Sequence, residues 1–412
     1  MLINNRQLQL KGEVMRVAYI CADPGIPVFG TKGASVHVQE VIKGMCQRGL
    51  DVVLFAQRLG GEAPEALKDV EVHLLPALSH ESATDRALSA LAANEVVEKL
   101  LHASGPFDLI YERYSLWSYA GMGFAKKHGC VGMLEVNAPL IEEQKKHREL
   151  PLEEEAQKVA ENVFANADAM IAVSPGVKAY LETFEQAEGR IYVIANGVNL
   201  DRFSLAAQQN AARMNNAVAQ GKIEHPTIGF LGTLKPWHGV SVLVQAWGLL
   251  RKQGHFARLL IVGDGPEHDN LRQDIEQLGL LDDVCFTGAV LPENVPDWLA
   301  KMDIAVAPYP TMEHFYFSPL KIYEYMAAGL PVIATRVGHL ASVIEDNQNG
   351  ILVSPDSPQH LAEAMAELLA CPAKAQQLGS MARRTAEKQH SWLSVVDRVL
   401  AIAKSCQSHH KT

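Results

Sequence analysis

Short apolar runs rich in β-branched residues alternate with longer amphipathic stretches along most of the chain. In the first half, the short runs predict strands at 15–21, 51–56, 109–112, 132–136, 169–173 and 192–194. The stretch 34–48 has the apolar spacing of a helix, which Gly49 ends. Strands that alternate with helices are typical of parallel sheets covered on both faces. The pattern therefore predicts an α/β fold.

A second series of the same kind follows a polar, Ala- and Asn-rich stretch at 207–222. Its strands are predicted at 227–232, 258–262, 284–287, 304–307, 332–334 and 350–353. A chain of 412 residues is too long for one core, so we expect two domains of similar size. The expected boundaries are 1–203, with 1–14 as an extension, 204–388, and a C-terminal helix in 389–412.

Composition excludes several classes of protein. The net charge of −10 provides no basic field for a nucleic acid. The six cysteines form no CxxC pair or metal-ligand spacing, which favours free thiols in a reducing compartment. The N-terminal stretch lacks the apolar core of a signal peptide, and no apolar run is long enough to span a bilayer. We therefore expect a soluble, cytoplasmic protein.

The stretch FYFSPLKIYEYMAAGLPVIAT, residues 315–335, carries the first functional signal. Ser318 is predicted to be an N-cap, with Pro319 at the first helical position, and Gly329 and Pro331 end the helix. The N terminus of this helix would lie at the carboxyl ends of the parallel strands, where ligands bind in such sheets. Its free N–H groups and positive dipole end favour an anion, above all a phosphate.

Two side chains on this predicted helix suit a nucleotide. Lys321 adds a positive charge in the first turn, and Glu324 follows one turn later on the same face. A carboxylate is a good acceptor for two neighbouring hydroxyls, such as a ribose diol. Taken alone, the stretch fits equally well a structural helix with Lys321 and Glu324 as a surface ion pair.

Other loops of the second half support the nucleotide interpretation. In TIGFLGTLKPWHGV, a strand ends at Gly232 and a loop with Lys235, Trp237 and His238 precedes the next helix. Cations in such a turn favour phosphate binding, although a plain loop with a half-buried Trp is the alternative.

Glycines follow two further strands of this half. The sequence IVGDGP lacks the third glycine of a dinucleotide fingerprint. Gly263 and Gly265 therefore predict only that the backbone of this turn lies close to another group. Gly288 ends a strand of the same layer.

Together, GTLKPWHG, IVGDGP, FTGAV and FSPLKIYEYMAAGLPVIAT resemble the family-4 retaining glycosyltransferases of GT-B fold. The first-half stretches FGTKGASVHVQEVIKGMCQRGLDVVLF, NADAMIAVSPGVKAYL and VIANGVNLDRF agree, so the resemblance covers nearly the whole chain. It implies two Rossmann-like domains that face each other across a cleft. It also implies a C-terminal helix, from about Trp392, that crosses back onto the N-terminal domain.

The resemblance also implies the ligand contacts. The second domain would hold a nucleotide-sugar donor, with Glu324 on the ribose and Gly288 to Val290 along the base. Gly33, from the first domain, would close on the phosphates. The full set of donor-binding residues is Gly33, Gly232, Thr233, His238, Gly263, Gly265, Gly288, Val290, Ser318, Pro319, Leu320, Lys321 and Glu324.

The chain departs from the family pattern on the donor side. Tyr316 stands where many relatives carry the first acid of a Glu-x7-Glu pair, so Glu313 or the backbone alone would hold the sugar. Thr233 and His238 take the places of the usual Arg and Lys, and Lys235 is expected to compensate.

The acceptor side departs as well. Asn137 aligns approximately with the usual His, and Glu135 is a second candidate near the reacting centre. The candidate catalytic residues are therefore Lys235, Glu324, Asn137 and Glu135.

These features lead to a functional expectation. We expect a retaining transfer of a hexose, with glucose favoured, from a UDP sugar, with GDP as the competing nucleotide. The acceptor would be a saccharide or glycolipid in polysaccharide or envelope biosynthesis, and a lipid-linked acceptor would require weak peripheral contact with the inner membrane face. Neither a metal nor another cofactor is expected, since a helix N terminus and lysines can neutralise the diphosphate. The alternatives are a nucleotide-sugar-binding protein without transfer, a GT-B epimerase and, least favoured, a nicotinamide-dependent dehydrogenase.

Overall fold

The computed structural model describes residues 14–313, 315–316 and 318–410. The expected N-terminal extension lies outside them except for Val14. The chain forms two compact units. One runs to Ala195 and takes up the chain again at Trp392, and the other runs from Asn196 to Ser391.

In the described residues, the first unit has a seven-stranded parallel sheet in the order β3-β2-β1-β4-β5-β6-β7. Its strands are β1 (Arg16–Cys21), β2 (Asp51–Ala56), β3 (Glu71–Leu74), β4 (Leu109–Arg113), β5 (Val131–Val136), β6 (Ala169–Ala172) and β7 (Ile191–Val193). The helices between them are α1 (Gly33–Gln47), α2 (Ala83–Ser104), α3 (Ala120–His128), α4 (Leu140–His147), α5 (Glu153–Asn166) and α6 (Pro175–Leu181). The central strands are buried on both faces, which explains their continuous apolar runs.

The second unit has, in its described part, a six-stranded parallel sheet in the order β10-β9-β8-β11-β12-β13. Its strands are β8 (Thr227–Leu231), β9 (Arg258–Val262), β10 (Val284–Phe286), β11 (Ile304–Ala307), β12 (Val332–Thr335) and β13 (Ile351–Val353). Its helices are α7 (Ser204–Gln220), α8 (Val240–Lys252), α9 (His268–Gln277), α10 (Val295–Leu299), α11 (Leu320–Ala327), α12 (Leu340–Val343), α13 (Pro358–Ala370) and α14 (Pro372–Gln389). The two parallel sheets confirm the predicted fold class.

The strand order reverses once in each sheet. In the second unit, the chain builds β8, β9 and β10 outward and then returns to place β11 on the other side of β8. In the first unit, the same reversal occurs between β1 and β4. A crevice forms beyond the carboxyl ends of the strands at such a point, and ligands bind there. The loops that follow β8 and β11 are therefore the first place to look for a site.

The C-terminal helix α15 (Trp392–His410) belongs to the first unit, as expected. It packs against α1, where a Cβ on Gly44 would lie 2.8 Å from the Val396 Cγ2 atom. The missing side chain at position 44 thus allows close helix packing. The Trp392 ring is buried and meets the edge of the His37 ring at 4.9 Å between centroids.

The polar stretch 207–222, for which the sequence pattern predicted no element, lies almost entirely in α7. Its alanines are strong helix formers, and Gly221 ends the helix in a left-handed conformation. Asn210 is buried, and its side-chain amide donates to the Ala328 carbonyl at 2.8 Å. A polar residue of this helix is therefore part of the packing. In the part of the chain that the structure describes, no helix is long and apolar enough to cross a membrane.

Candidate functional site

Helix α11 starts at the carboxyl edge of the second sheet without a side-chain cap. Its N-cap residue is Pro319, so the prediction that Ser318 caps the helix is wrong. The Ser318 hydroxyl instead accepts from the Asn196 N–H at 3.2 Å and lies 3.1 Å from the Tyr323 hydroxyl. Because these partners occupy it, the first N–H groups of α11 are left without a cap, and such a terminus favours an anion.

Lys321 lies in the first turn of α11 with its amine buried. Only 8% of the residue is exposed, and its Nζ atom has no hydrogen-bond partner in the part of the chain that the structure describes. The amine lies 4.2 Å from the centre of the Phe230 ring and 5.1 Å from that of Tyr309. Burial lowers the pKa of Lys321 to about 7, partly opposed by the charge of Glu324. A buried amine without a partner is costly, which is typical of a site that awaits an anion.

The loop after β8 is shaped around this lysine. A Cβ on Gly232 would lie 2.7 Å from the Lys321 Nζ atom, and Gly232 has a φ of +143° that favours glycine. His238 follows in the same loop, with its Nδ1 atom hydrogen-bonded to the Thr233 carbonyl. Burial and the charge of Lys321 lower the pKa of His238 to about 4, so its ring is neutral near pH 7.

Lys235 and Trp237 lie on the outer side of the same loop. Lys235 is half-buried, and its Nζ atom lies 5.6 Å from the centre of the Trp237 ring. The Trp237 side chain is 43% exposed, so it is not a core residue.

Gly263 and Gly265 support the loop after β8. A Cβ on Gly263 would lie 2.0 Å from the Gly232 carbonyl oxygen, and one on Gly265 would lie 2.5 Å from that of Leu234. The Leu234 N–H donates to the Asp264 carbonyl at 2.9 Å. The close approach inferred from GDGP is therefore an approach of backbone to backbone within this unit.

Gly288 and Val290 follow β10 at the same edge. Gly288 has a φ of +68° and forms an isolated bridge with Gly263. Val290 is partly exposed in the loop that continues to Pro292.

Glu324 is half-buried one turn after Lys321. Burial raises its pKa, while the charges of Arg202 and Lys321 oppose that rise. Arg202 was not among the residues selected from the sequence. It is 122 residues away from Glu324 in the chain, so no local pattern links the two.

The candidate residues of the first unit form a separate cluster. Glu135 is 2% exposed, and its carboxylate is bonded to His37 at 2.9 Å, Tyr111 at 2.6 Å and Arg113 at 2.9 Å. The Asn137 side-chain amide donates to the same carboxylate at 2.6 Å. Burial alone would raise the pKa of Glu135, but the electrostatic attraction and hydrogen bonds of these neighbours hold it well below its usual range.

This geometry suits a positioning role for Glu135. A permanently ionised, fully bonded carboxylate is a poor proton acceptor, whereas it orients His37, Arg113 and Asn137. The sequence analysis did not select His37, Tyr111 or Arg113, which come from α1 and β4. Gly33 is exposed at the start of α1, one turn before His37.

Two family models match the chain. Residues 31–202 match "Glycosyltransferase Family 4", and residues 225–371 match "Glycosyl transferases group 1". Together the two matches span well over half of the sequence. The chain belongs to the family-4 glycosyltransferases. The resemblance noted from the sequence motifs is therefore confirmed, and the protein is an enzyme.

Relatives and solved structures agree with this assignment. The D-inositol 3-phosphate glycosyltransferase of Rhodococcus erythropolis is 28% identical over 92% of this chain and 87% of its own. The GDP-mannose-dependent alpha-(1-6)-phosphatidylinositol monomannoside mannosyltransferase of Mycobacterium tuberculosis is 29% identical over 58% of this chain and 62% of its own. Anabaena HepE, solved in complex with UDP, matches with a TM-score of 0.68 and 21% identity over 95% of this chain and 100% of its own. This last likeness supports the GT-B fold.

Proposed function

We propose that this glycosyltransferase moves a hexose from a nucleoside diphosphate sugar to a saccharide or glycolipid acceptor with retention of configuration. The observation that carries the proposal is the uncapped N terminus of α11, with Glu324 one turn later and, in its first turn, the buried amine of Lys321, which has no partner among the described residues. This arrangement suits a diphosphate next to a ribose diol. It lies at the strand-order reversal of the second sheet, where ligands of such sheets bind.

The leaving diphosphate gains negative charge as the bond to the sugar breaks. The helix terminus, Lys321 and Lys235 supply preorganised positive potential for that charge. Losing one such contact costs about 3 kcal/mol, or on the order of a hundredfold in rate. Glu135 is fully bonded inside the first unit, so we assign the proton of the acceptor hydroxyl to the leaving phosphate, with attack on the same face of the sugar. Asn137 and its neighbours would bind acceptor hydroxyls.

UDP with glucose is our first choice of donor, and GDP is the competitor. HepE was solved with UDP, whereas the M. tuberculosis mannosyltransferase is named for GDP-mannose. A polyol phosphate is a further acceptor to test, because the R. erythropolis relative is named for inositol 3-phosphate. Polysaccharide or envelope assembly at the inner membrane face remains the proposed setting.

The test is release of nucleoside diphosphate from UDP-, GDP- and ADP-sugars, with EDTA present and with acceptors that include inositol 3-phosphate. Glu324→Ala should lower the release at least tenfold, because the ribose loses its acceptor. Glu276→Ala, at an exposed position of α9, is the matched control and should leave the rate unchanged. Equal rates in the two variants would contradict the assignment of Glu324, and a requirement for added metal would contradict the charge neutralisation proposed above.

A further inference from the structure

His238 lies in the loop after β8, and one of its two ring nitrogens is occupied within that loop. The Nδ1 atom is hydrogen-bonded to the Thr233 carbonyl oxygen, while the Thr233 hydroxyl lies farther away, at 3.5 Å. A carbonyl oxygen can only accept, so Nδ1 carries a hydrogen and donates it. In a neutral imidazole, Nε2 is then left as a hydrogen-bond acceptor.

The surroundings of His238 keep its ring neutral. The ring lies 5.6 Å from the Tyr309 ring and 6.2 Å from the Phe230 ring, between centroids. The Lys321 amine lies against the same two rings, 4.2 Å from the centre of Phe230 and 5.1 Å from that of Tyr309. Burial and the charge of Lys321 lower the pKa of His238 to about 4. His238 therefore offers a lone pair, and not a positive charge, to a ligand beside Lys321.

The lone pair of Nε2 is held in position and is accessible. Gly239, the next residue, has a φ of +67°, and a Cβ there would lie 1.9 Å from the Pro308 carbonyl oxygen. The loop that carries His238 therefore packs directly on the loop after β11. His238 itself is half-buried, and its Nε2 atom makes no hydrogen bond anywhere in the described chain. Such an acceptor is preorganised for a hydroxyl group of a ligand whose anion binds at Lys321.

His339, a second histidine of the same unit, has both ring nitrogens occupied by the protein. Its Nε2 atom lies 3.0 Å from the Tyr323 hydroxyl, and its Nδ1 atom lies 2.9 Å from the Ser342 hydroxyl. Burial lowers the pKa of His339 to about 4 as well. Full pairing of a buried polar side chain is expected of a structural residue. His238 differs from His339 because one of its nitrogens remains free for a ligand.

We propose that His238 is a specificity-determining residue, whose Nε2 atom accepts a hydrogen bond from a hydroxyl group of the transferred hexose. This inference rests on the proposed function, in which the diphosphate of a nucleotide sugar binds at Lys321 and the start of α11. It goes beyond that function by naming the group of the sugar that the site recognises. Ionised phosphate oxygens have no hydrogen to donate, so an accepting nitrogen contributes nothing to a free diphosphate. A hexose hydroxyl has such a hydrogen.

Asparagine and glutamine substitutions separate the roles of the two ring nitrogens. In His238→Asn, the side-chain amide can donate to the Thr233 carbonyl in place of Nδ1, but it does not extend to the position of Nε2. In His238→Gln, the longer side chain brings an accepting amide oxygen to that position. His339→Gln is the control for the loss of a buried, neutral histidine in the same unit. It should lower the thermal stability without changing the recognition of the sugar.

The experiment compares UDP with UDP-glucose, and GDP with GDP-mannose, by calorimetric titration of the full chain, with thermal unfolding to check that each variant is folded. We expect His238→Asn to bind the sugar nucleotide about tenfold more weakly, the effect of one lost hydrogen bond. Its affinity for the free nucleoside diphosphate should stay unchanged. His238→Gln should keep most of the affinity for the sugar nucleotide, and His339→Gln should keep the wild-type ratio of the two affinities.

Analogues of both sugar nucleotides, with fluorine in place of one hexose hydroxyl at a time, identify the group that His238 contacts. A C–F group cannot donate a hydrogen bond. One analogue should therefore bind the wild-type protein about tenfold more weakly than the parent sugar nucleotide. The same analogue should cause no further loss in His238→Asn, because its partner is already missing there.

Each outcome has a distinct meaning. Equal weakening of UDP and UDP-glucose in His238→Asn would show that His238 acts on the diphosphate, and the inference would be overturned. It would also be overturned by an unchanged ratio of the two affinities, or by a wild-type protein that binds every fluorinated analogue as tightly as the parent. The proposed function survives these results, since the donor still binds. If the wild-type protein binds neither nucleotide nor its sugar, the proposed function fails and the inference fails with it.

Discussion

Lys321 combines two properties that conflict in an empty site. In the proposed site its amine supplies a charge for the diphosphate, yet it is buried against the rings of Phe230 and Tyr309 without a hydrogen-bond partner among the described residues. Burial of an uncompensated polar group lowers stability, while a preorganised cation stabilises the developing charge of a leaving group. If the proposed role of Lys321 is right, this residue contributes to activity at a cost in stability.

We expect Lys321→Met to lower the transfer rate at least a hundredfold and to raise the unfolding temperature, because the buried amine is replaced by an apolar side chain of similar length. Steady-state kinetics and thermal unfolding measure the two effects. Lys235→Met is the control, since Lys235 is only half-buried and should change the rate without a gain in stability. A Lys321→Met enzyme with near wild-type rates would contradict this assignment.

The proposed role of Lys321 predicts that nucleotide binding depends on pH. The pKa of this residue is about 7 in the empty site, and a bound diphosphate favours the charged form. The affinity for UDP should therefore fall by up to about tenfold per pH unit above pH 7. In Lys321→Met this dependence should disappear between pH 7.5 and 9, whereas an unchanged slope would place the titrating group elsewhere.

Glu112 is a second buried ionisable residue, in β4 of the first unit. Its Oε1 atom accepts from the Ser118 hydroxyl at 2.5 Å, and the carboxyl group also interacts with the Met122 backbone. Burial raises its pKa from 4.5 to about 7, against the effect of the Ser118 hydrogen bond. Between these values the unfolded chain releases the proton while the folded chain keeps it, so stability falls as the pH rises from 4.5 to 7.

We expect Glu112→Gln to be more stable than the wild-type protein at pH 8 by up to about 3 kcal/mol, and equally stable near pH 4. Chemical denaturation at the two pH values measures the difference. Glu98→Gln on the neighbouring helix α2 serves as the control, because Glu98 is exposed and pairs with Lys127 on the surface. A gain for Glu112→Gln that is the same at both pH values would refute the proposed titration.

At the level of elements, a comparison of two glycines at helix ends distinguishes the effect of backbone strain from that of steric conflict. Gly239 precedes α8 with a φ of +67°, and Gly129 follows α3 with a φ of +69°. A Cβ on Gly239 would lie 1.9 Å from the Pro308 carbonyl oxygen, while a Cβ on Gly129 would meet nothing within 4 Å. Only Gly239 therefore brings the loops after β8 and β11 into contact.

We expect Gly129→Ala to cost about 1 kcal/mol, the usual penalty for alanine in a left-handed conformation. Gly239→Ala should cost clearly more and should raise the KM for the donor, because the Cβ must displace the loop that carries His238. Thermal unfolding and donor kinetics compare the two variants. Equal effects on both measurements would show that the contact with Pro308 does not position the site.

At the scale of the whole molecule, the first unit is built from the two ends of the chain. The apolar side of α15 contributes Trp392, Val396, Val399, Leu400 and Ala403 to its buried core. Arg48, which directly follows α1, also pairs with Asp397 through two 2.6 Å hydrogen bonds. The first unit therefore depends on residues that are about 350 positions away from α1.

Deletion of the chain after Ser391 should destabilise the first unit selectively, because it exposes the apolar faces that α15 covers. Hydrogen exchange should become faster in α1 and β5, with little change in α8 and β9 of the second unit. A shorter deletion after Gln407, which removes only the last turn, is the control and should have a small effect. Unchanged protection of α1 in the longer deletion would show that α15 contributes little to this core.

The fold class could be predicted because it depends on features that are local in the chain. Continuous apolar runs such as 15–21 and 304–307 have the composition of strands buried on both faces, and each is followed by a helical period. Capping residues, which are also local in the sequence, predicted the ends of α11 to within one residue. This prediction failed at Ser318, whose hydroxyl has partners at Asn196 and Tyr323 that compete with the cap.

The candidate site, too, could be predicted only where its features are local in the sequence. The motifs around Gly232, His238, Lys321 and Glu324 predict a nucleotide-sugar enzyme, because glycines, cations and a helix start are visible within short stretches of sequence. The partners of Glu135 and the charge of Arg202 beside Glu324 are known only once the chain is folded. The burial and the hydrogen-bond partners of these side chains depend on residues that are 22 to 122 positions apart in the chain. Burial and hydrogen bonding in turn determine the pKa values, and they determine which polar groups stay free for the chemistry.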